Sequence, residues 1–375
     1  MILEPIANRL TREKATTNEL PRLSVVVPCK NEEKFIAQCL DSILRNDYPM
    51  DRIEILVVNG MSTDATLSIV TRYASEYPVI KVLNNIKEIT PAGLNLGIMA
   101  SSGDVVFRID AHARVAPDYL RRCVERLRSE DADNVGGAMR TLPYDSSISA
   151  HSIALCMSHK FGVGNSVFRT GSNRPAFTDT VFGGCYRKKI FAQLGLFNED
   201  LPRTQDIEFN QRLRKSGGRI LLDPSIKCDY FASPNLRSFA NHNFEDGVWS
   251  ILPFAYSRVV PVRPRHLVPL LFLATMIIFG SLGIWLRPAW MALIIECSAY
   301  TGASIAFSLQ VSRRESNAFL FFTMPFVFAL RHFAYGLGST YGAAVLLMNR
   351  KFLRSLLRFE RFGRSKLTPS RSEAE

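Results

Sequence analysis

The chain has 375 residues, 47% of them hydrophobic and 21% charged, with a formal net charge of +12. That length accommodates one large domain or two ordinary ones with a sizeable core. The positive excess is uneven: residues 261–375 hold 14 Lys and Arg against 5 Asp and Glu, a net +9, so the basic charge sits beside apolar runs and argues against nucleic-acid binding.

The N-terminal stretch "MILEPIANRLTREKATTNELPR" lacks an apolar core region, which excludes a secretory signal; residues 1–21 are expected to form a flexible arm. A strand-then-helix pattern follows. "LSVVVP" (23–28) precedes "NEEKFIAQCLDSILRN", whose Phe35, Ile36, Leu40, Ile43 and Leu44 fall at helical spacing. The pattern returns in "IEILVV" (53–58) with "STDATLSIVTRYASEY", in "VIKVL" (79–83) with "TPAGLNLGIMAS", and in "VVFRID" (105–110) with "PDYLRRCVERLRSE". Four such units predict an α/β fold with a Rossmann-like, mostly parallel sheet and flanking helices.

Ligands of such sheets sit outside the carboxyl ends of the strands. Three polar clusters fall there: Pro28 to Glu32, Asn59 to Ser62, and Asp110-Ala111-His112. Side chains two apart on extended chain share a side, so Asp110 and His112 can serve one ligand, with a carboxylate and an imidazole suited to a divalent cation. The plainer alternative is a strand end with two solvated polar residues. Ser62 and Asp64 read as caps of the second helix. No Gly-x-Gly-x-x-Gly follows the first strand and no P-loop is present, which removes the main support for those nucleotide sites.

Beyond residue 134 the alternation fades. "NVGGAMRTLPY" is expected as a strand, "ISAHSIALCMSHKFG" as a helix, and "DTVFGGCYRKKIF" as a strand and turn whose Gly183-Gly184 permits close approach of a ligand. In "RTQDIEFNQRLRKSGGRILLDP" a helix starts near Asp206, ends at Gly217-Gly218 and feeds a strand, Arg219 to Leu222. Asp206 and Glu208 offer carboxylates for base chemistry; a first-turn acid is also commonly a cap. Glu199-Asp200 imitates the acidic pair, but the helix follows Asp206 directly. Arg212 supports the acid or a phosphate, or lies on a solvated face.

The C-terminal third is apolar. Leu267 to Leu286 gives twenty residues without a formal charge, enough to cross roughly 30 Å of hydrocarbon. Ala289 to Gln310 is a second candidate, and Arg287-Pro288 between them reads as the bend of a helical hairpin. Asn317 to Met348 carries Arg331 and His332 at its centre and is expected to be interfacial or to cross twice. Arg263, Arg265, Arg313 and Arg314 mark the cytoplasmic side. "KFLRSLLRFERF" (351–362) reads as a basic amphipathic helix suited to an anionic membrane surface. The expected division is an arm at 1–21, a catalytic domain at 22–234, an amphipathic connector at 235–266, membrane-embedded helices at 267–348 and a basic tail at 349–375. The seven cysteines show no C-x-x-C pair and read as reduced and mostly buried.

Taken in order, "VVPCKNEE", "VVNGMSTDAT", "GLNLGIMASSGDVVFRIDAH" and "TQDIEFNQRLRKSG" resemble the family 2 glycosyltransferases, inverting enzymes with a GT-A domain. Within that family the chain is similar to the ExoA-like glucosyltransferases of succinoglycan and related exopolysaccharide assembly, which also show Asp-x-His and C-terminal apolar segments containing "YGLGSTYG". The resemblance implies Asp206 as general base and Asp110 with His112 at a divalent metal, Mn²⁺ or Mg²⁺. It implies nucleotide-sugar contacts at Pro28, Asn31, Glu32, Asn59, Asn95 and Asp110, and an acceptor pocket at Gly183, Gly184, Gln205 and Glu208. The implied donor is UDP-glucose, the implied acceptor a polyprenyl-linked saccharide, and the implied setting the cytoplasmic face of the inner membrane among lipids and other exopolysaccharide assembly enzymes.

Two features depart from the family pattern. Asn59 stands where an aspartate is usual, which leaves a hydrogen-bond acceptor but removes its charge. Gln-x-x-Arg-Trp, used by processive synthases, is absent, and Trp249 sits in "FEDGVWS" instead, so one sugar per encounter is expected. The rival readings are a sugar nucleotidyltransferase and a non-catalytic membrane scaffold retaining a sugar-nucleotide fold.

Overall fold

The computed structural model describes residues 19–257 and 262–348. The basic tail expected at 349–375, and all but the last residues of the N-terminal arm, lie outside them.

The expected alternation is present: β1 (Leu23–Cys29), α1 (Ile36–Leu44), β2 (Ile53–Asn59), α2 (Thr66–Glu76), β3 (Ile80–Asn84), α3 (Thr90–Ala100), β4 (Val105–Arg108), β5 (Ala113–Val115) and α4 (Tyr119–Ser129). After it come β6 (Asn134–Leu142), α5 (Ile148–Ser158), α6 (Lys160–Val163), α7 (Val167–Thr170), β7 (Ala176–Phe177), β8 (Cys185–Arg187), α8 (Lys189–Leu194), α9 (Gln205–Lys215) and β9 (Ile220–Phe231). The expected helix over 148–162 breaks at His159, whose extended backbone (φ −100°, ψ 139°) separates α5 from α6. The expected short strand at 219–222 is twelve residues long, because β9 continues past Pro224, where β6 shifts register between Gly137 and Ala138.

The strand order is β3-β2-β1-β4-β8-β6-β9-β5, with β7 pairing β9. Strands β1 to β4, β6 and β9 run one way; β8, β5 and β7 run against them. The chain moves outward from β1 through β2 to β3 and then returns to place β4 on the other side of β1. That reversal opens a crevice at the carboxyl ends of β1 and β4.

Helices cover both faces, which explains the unbroken apolar run of β1. Val25 and Val27 face a core with Ile36, Leu40 and Leu120, while Val26 faces a second core with Leu94, Phe209 and Leu213. Each such buried aliphatic side chain contributes about 1.5–3 kcal/mol. Six of the seven cysteines are buried and all are free thiols.

The C-terminal part consists of α10 (Leu236–Ile251), α11 (Pro253–Tyr256), α12 (Pro264–Gly283), α13 (Arg287–Arg314) and α14 (Phe319–Met348). Helices α12, α13 and α14, of 20, 28 and 30 residues, are long and apolar enough to cross a membrane. The third apolar stretch is one continuous helix rather than two crossings, and it lies along the catalytic domain. Thr323 meets Ser152 of α5 at 2.8 Å, Arg331 donates to Gly162 O and Asn243 Oδ1, and Ser339 meets Ser250 of α10 at 3.2 Å. The α10–α14 contact is close because glycines form it: a Cβ on Gly338 would stand 1.9 Å from Phe244 O, and one on Gly247 2.1 Å from Tyr335 O.

Candidate active site

A cleft of about 710 Å³ opens at the carboxyl ends of the central strands. It is lined by Asp110 and His112 just past β4, by Asp206 in the first turn of α9, and by Pro28 near the end of β1 with Lys30 and Glu32 after it. The far side is α10, through His242, Asp246 and Trp249. Since α10 is packed on α14, the cleft wall and the apolar helices are one continuous structure.

Arg108 connects the two key acids. Its Nε donates to Asp110 Oδ1 at 3.0 Å, and its Nη1 lies 3.6 Å from Asp206 Oδ2. Nη1 is buried and makes no hydrogen bond. Burial alone would raise the Asp110 pKa, but Arg108, His112 and Arg169 hold it below the usual carboxylate range. Asp206 also accepts from Ile207 N at 2.8 Å through Oδ1, which fixes the carboxylate at the start of its helix.

His112 Nδ1 is 2.7 Å from Glu32 Oε1, and the ring meets Tyr230 edge-on at 4.7 Å. Burial pulls the imidazole pKa down, but Tyr230, Glu32 and Asp110 outweigh it and leave the value well above the ordinary one. Nδ1 donates to Glu32, so Nε2 is the nitrogen that could serve a ligand, and only once the ring has lost its second proton. Among the described residues no group of three or more His, Cys, Asp or Glu could hold a metal ion. An ion held by Asp110 and His112 would therefore need its other ligands from substrate phosphate and water, and Asp110 would have to share its oxygens with Arg108.

Among the described residues six non-glycine positions have left-handed φ, of which Glu88 and Thr204 line the cleft while Asp131 (49°) and Ser316 (53°) do not. Asn31, Met61, Glu88 and Thr204 have φ of 55°, 57°, 59° and 62°, at the ends of β1 and β2, ahead of α3, and at the start of α9. Left-handed non-glycine residues cost free energy and persist where surrounding structure holds them for function. Gly183, with φ 65°, runs so close to β4 that a Cβ would meet Arg108 O at 2.6 Å.

The other expected site residues divide between the cleft and its supports. Gln205 lines the cleft and is buried, with Oε1 unpartnered. Asn31 braces the rim: its Oδ1 accepts from Thr63 N at 2.8 Å while Ser62 Oγ accepts from its own N. Ser62 is thus used for that bridge rather than as a helix cap, whereas Asp64 accepts from Thr66 N at the head of α2. Asn59 Oδ1 accepts from Ser62 N at 3.1 Å, and its amide group faces Asn84. Gly184 pairs backbone with Arg108, its carbonyl accepting from Arg108 N at 3.0 Å.

Asn31, Asn59, Gly184, Asn95 and Glu208 do not line the cleft. Asn95 is buried, accepts from Phe197 N, and donates to Phe197 O and Glu199 Oε1, so it ties α3 to the loop before α9. Glu208 receives both Nε and Nη2 of Arg212, which also donates to Leu194 O and Leu196 O. Arg212 thus neither supports Asp206 nor faces solvent.

Arg108, Arg169 and Tyr230 were not singled out by sequence. Arg169, in the four-residue α7, lines the cleft, stacks 5.6 Å from the Tyr230 ring and has a buried, unpartnered Nη1. A charged residue within the apolar run "VVFRID" is the one sequence signal that could have flagged Arg108.

Two carboxylates, Asp110 and Asp206, thus share one guanidinium in a cleft at the switch point of a doubly wound sheet, where ligands of such folds bind. Residues 24–194 match the model of the family described as Glycosyl transferase family 2, so this part of the chain is a glycosyltransferase family 2 domain. The chain is 29% identical over 233 residues to the dolichyl N-acetyl-alpha-D-glucosaminyl phosphate 3-beta-D-2,3-diacetamido-2,3-dideoxy-beta-D-glucuronosyltransferase of Methanococcus voltae, covering 60% of this chain and 71% of that one. It is 27% identical over 291 residues to the succinoglycan biosynthesis protein ExoA of Rhizobium meliloti, covering 72% and 85%. Among solved structures, the mannosyltransferase PcManGT of Pyrobaculum calidifontis, in complex with GDP-Man and Mn²⁺, superposes with a TM-score of 0.57 at 21% identity, over 86% of this chain and 88% of that one. That likeness establishes the GT-A-like fold. The nucleotidyltransferase and scaffold readings give way to a glycosyltransferase.

Proposed function

We propose that this enzyme transfers a hexose, glucose from UDP-glucose, to a lipid-linked saccharide in exopolysaccharide assembly, with inversion, one sugar per encounter and a β-linkage formed. The observation that carries the reading is the Arg108 bridge, which sets Asp206 and Asp110 on either side of one guanidinium in one cleft. Both carboxylates would then face the same bound sugar.

Asp206 accepts the proton of an acceptor hydroxyl as that oxygen attacks the anomeric carbon opposite the leaving phosphate. A single displacement inverts the centre. Asp110 and His112 would hold a divalent cation, Mn²⁺ or Mg²⁺, which when bound neutralises charge developing on the diphosphate leaving group. Arg169, with its free Nη1, orients an anionic oxygen beside Tyr230. Pro28, Glu32 and the strained rim at Asn31 enclose the nucleotide; Gln205, Gly183 and Trp249 face the acceptor. Absence of Gln-x-x-Arg-Trp supports single addition.

The ExoA relationship supports the assembly role, and the apolar helices support a lipid-linked acceptor at the inner membrane with the catalytic domain facing the cytoplasm. In this reading α12 and α13 form the spanning hairpin, with Arg263, Arg265, Arg313 and Arg314 on its cytoplasmic side. Helix α14, bonded through Arg331 to the catalytic domain, carries the cleft wall against the bilayer. The test is incubation of membranes containing the protein with labelled sugar nucleotides and lipid extract, with and without EDTA. A β-linked glycolipid from UDP-glucose that disappears with EDTA is expected. Transfer from a different nucleotide sugar would replace the donor, and EDTA-resistant transfer would remove the metal.

A further inference from the structure

A second cavity, of about 670 Å³, opens where α12 leaves the catalytic domain. No residue lines both it and the cleft. Its walls carry Arg214 near the end of α9, Arg219 ahead of β9, and Arg263 and Arg265 at the start of α12, against one carboxylate, Asp179. Asp179 pairs with Arg263 at 2.6 Å and stands 3.9 Å from Arg265. Arg265 also donates to Asn165 Oδ1 at 3.1 Å, and Arg219 lies 4.0 Å over the Phe177 ring and 3.7 Å from Asp131.

The positive charge is under-compensated. Nε of Arg263 is buried without a hydrogen-bond partner. Burial, aided by Arg265 and Arg214, holds the Arg263 pKa below the ordinary guanidinium range in spite of Asp179. A guanidinium does not shed its proton, so four arginines against one lining carboxylate leave the cavity positive and suited to an anion. Forked donors of this kind match phosphate oxygens, and the volume falls within the range of about 300–1,000 Å³ typical of small-ligand sites.

The apolar surroundings narrow the source of that phosphate. Within the first two turns of α12, Val268 and Leu271 are 60% and 61% exposed, so a lipid-facing surface begins where the arginines end. We infer that this cavity binds the phosphate of an anionic lipid headgroup at the membrane boundary, with the acyl chains lying along α12. Basic pockets beside membrane helices hold anionic headgroups in this way.

The test uses the full chain in a neutral detergent, titrated with short-chain phosphatidylglycerol, with phosphatidylcholine and with inorganic phosphate, and followed by thermal melting and native mass spectrometry. Phosphatidylglycerol should bind and raise the melting temperature, phosphatidylcholine should not, and inorganic phosphate should need at least about tenfold higher concentration. Arg214→Gln and Arg265→Gln should each weaken phosphatidylglycerol roughly tenfold, while Arg45→Gln, an exposed position just past α1, should leave it unchanged. Arg263 is kept because its loss would unpair Asp179. Melting without lipid reports whether each variant folds, and Arg214→Gln carries the test if Arg265→Gln does not. Equal binding of inorganic phosphate, unaltered binding in the folded cavity variants, or equal weakening by Arg45→Gln would overturn the inference.

Discussion

Nη1 of Arg108 stands 3.6 Å from Oδ2 of Asp206 while the rest of the same guanidinium holds Asp110. A strand-end residue thereby sets the distance between a strand-end carboxylate and a helix-borne one. The arrangement gives different roles to three charged side chains, and substitution separates them.

Asp206→Asn keeps the shape of the side chain and removes its basicity. Transfer should fall by about 10²–10⁴-fold, the usual contribution of a positioned base, while affinity for the donor changes little. Rapid-mix turnover and equilibrium donor binding measure the two quantities. Near-normal turnover would take Asp206 out of the mechanism.

Arg108→Met removes the cation from between Asp110 and Asp206. The Arg108 side chain is only 12% exposed, so loss of one partner from this buried set should destabilise the protein by about 3–5 kcal/mol. Arg108→Lys retains a charge but not the fork, and should recover stability better than turnover. Melting temperature compared with kcat across the two variants checks this; equal recovery of both would make Arg108 purely structural.

The sheet was legible because its first four strands are short β-branched runs followed by helices with 3.6-residue periodicity, a pattern that both-face burial enforces. Asp110, His112 and Asp206 were legible as candidates because each falls at an element end. What sequence concealed depends on distant packing. Arg108 hides within an apolar run, Arg169 occupies a helix too short to show a period, and β9 is masked by Pro224. Asn95 lies in a matching motif, yet its amide is spent on Phe197 and Glu199, partners that only the fold brings near. Of the glycines in "YGLGSTYG", Gly338 and Gly342 meet α10 and Gly336 meets Pro269 of α12, neighbours that only the fold supplies.

Gly338→Ala tests that contact. Its Cβ would sit 1.9 Å from Phe244 O, so α10 and α14 must separate, at a cost of about 1–3 kcal/mol. Because α10 carries His242, Asp246 and Trp249 into the cleft, KM for the lipid acceptor should rise as well. Gly302→Ala on α13, with nothing within 4 Å, should change neither. Melting and acceptor kinetics measured on both variants distinguish a specific seam from general sensitivity of the apolar helices.

Acid stability should depend on Glu54, which lies at the start of β2, away from the cleft. Burial alone would raise its pKa, but hydrogen bonds from Ser24, Ser102 and Lys81 lower it from 4.5 to about 2. A carboxyl whose folded pKa is depressed stabilises the fold above its unfolded value, and the contribution is lost as pH falls through the folded value. Full strength is therefore present above about pH 4.5 and declines toward pH 2. Allowing for the solvent around Lys81, the contribution is about 2 kcal/mol. Glu54→Gln should lower the melting temperature near neutral pH, and the gap to the unaltered protein should close progressively below pH 4.5. A gap independent of pH would mean that Glu54 acts through shape and hydrogen bonding alone, without its charge.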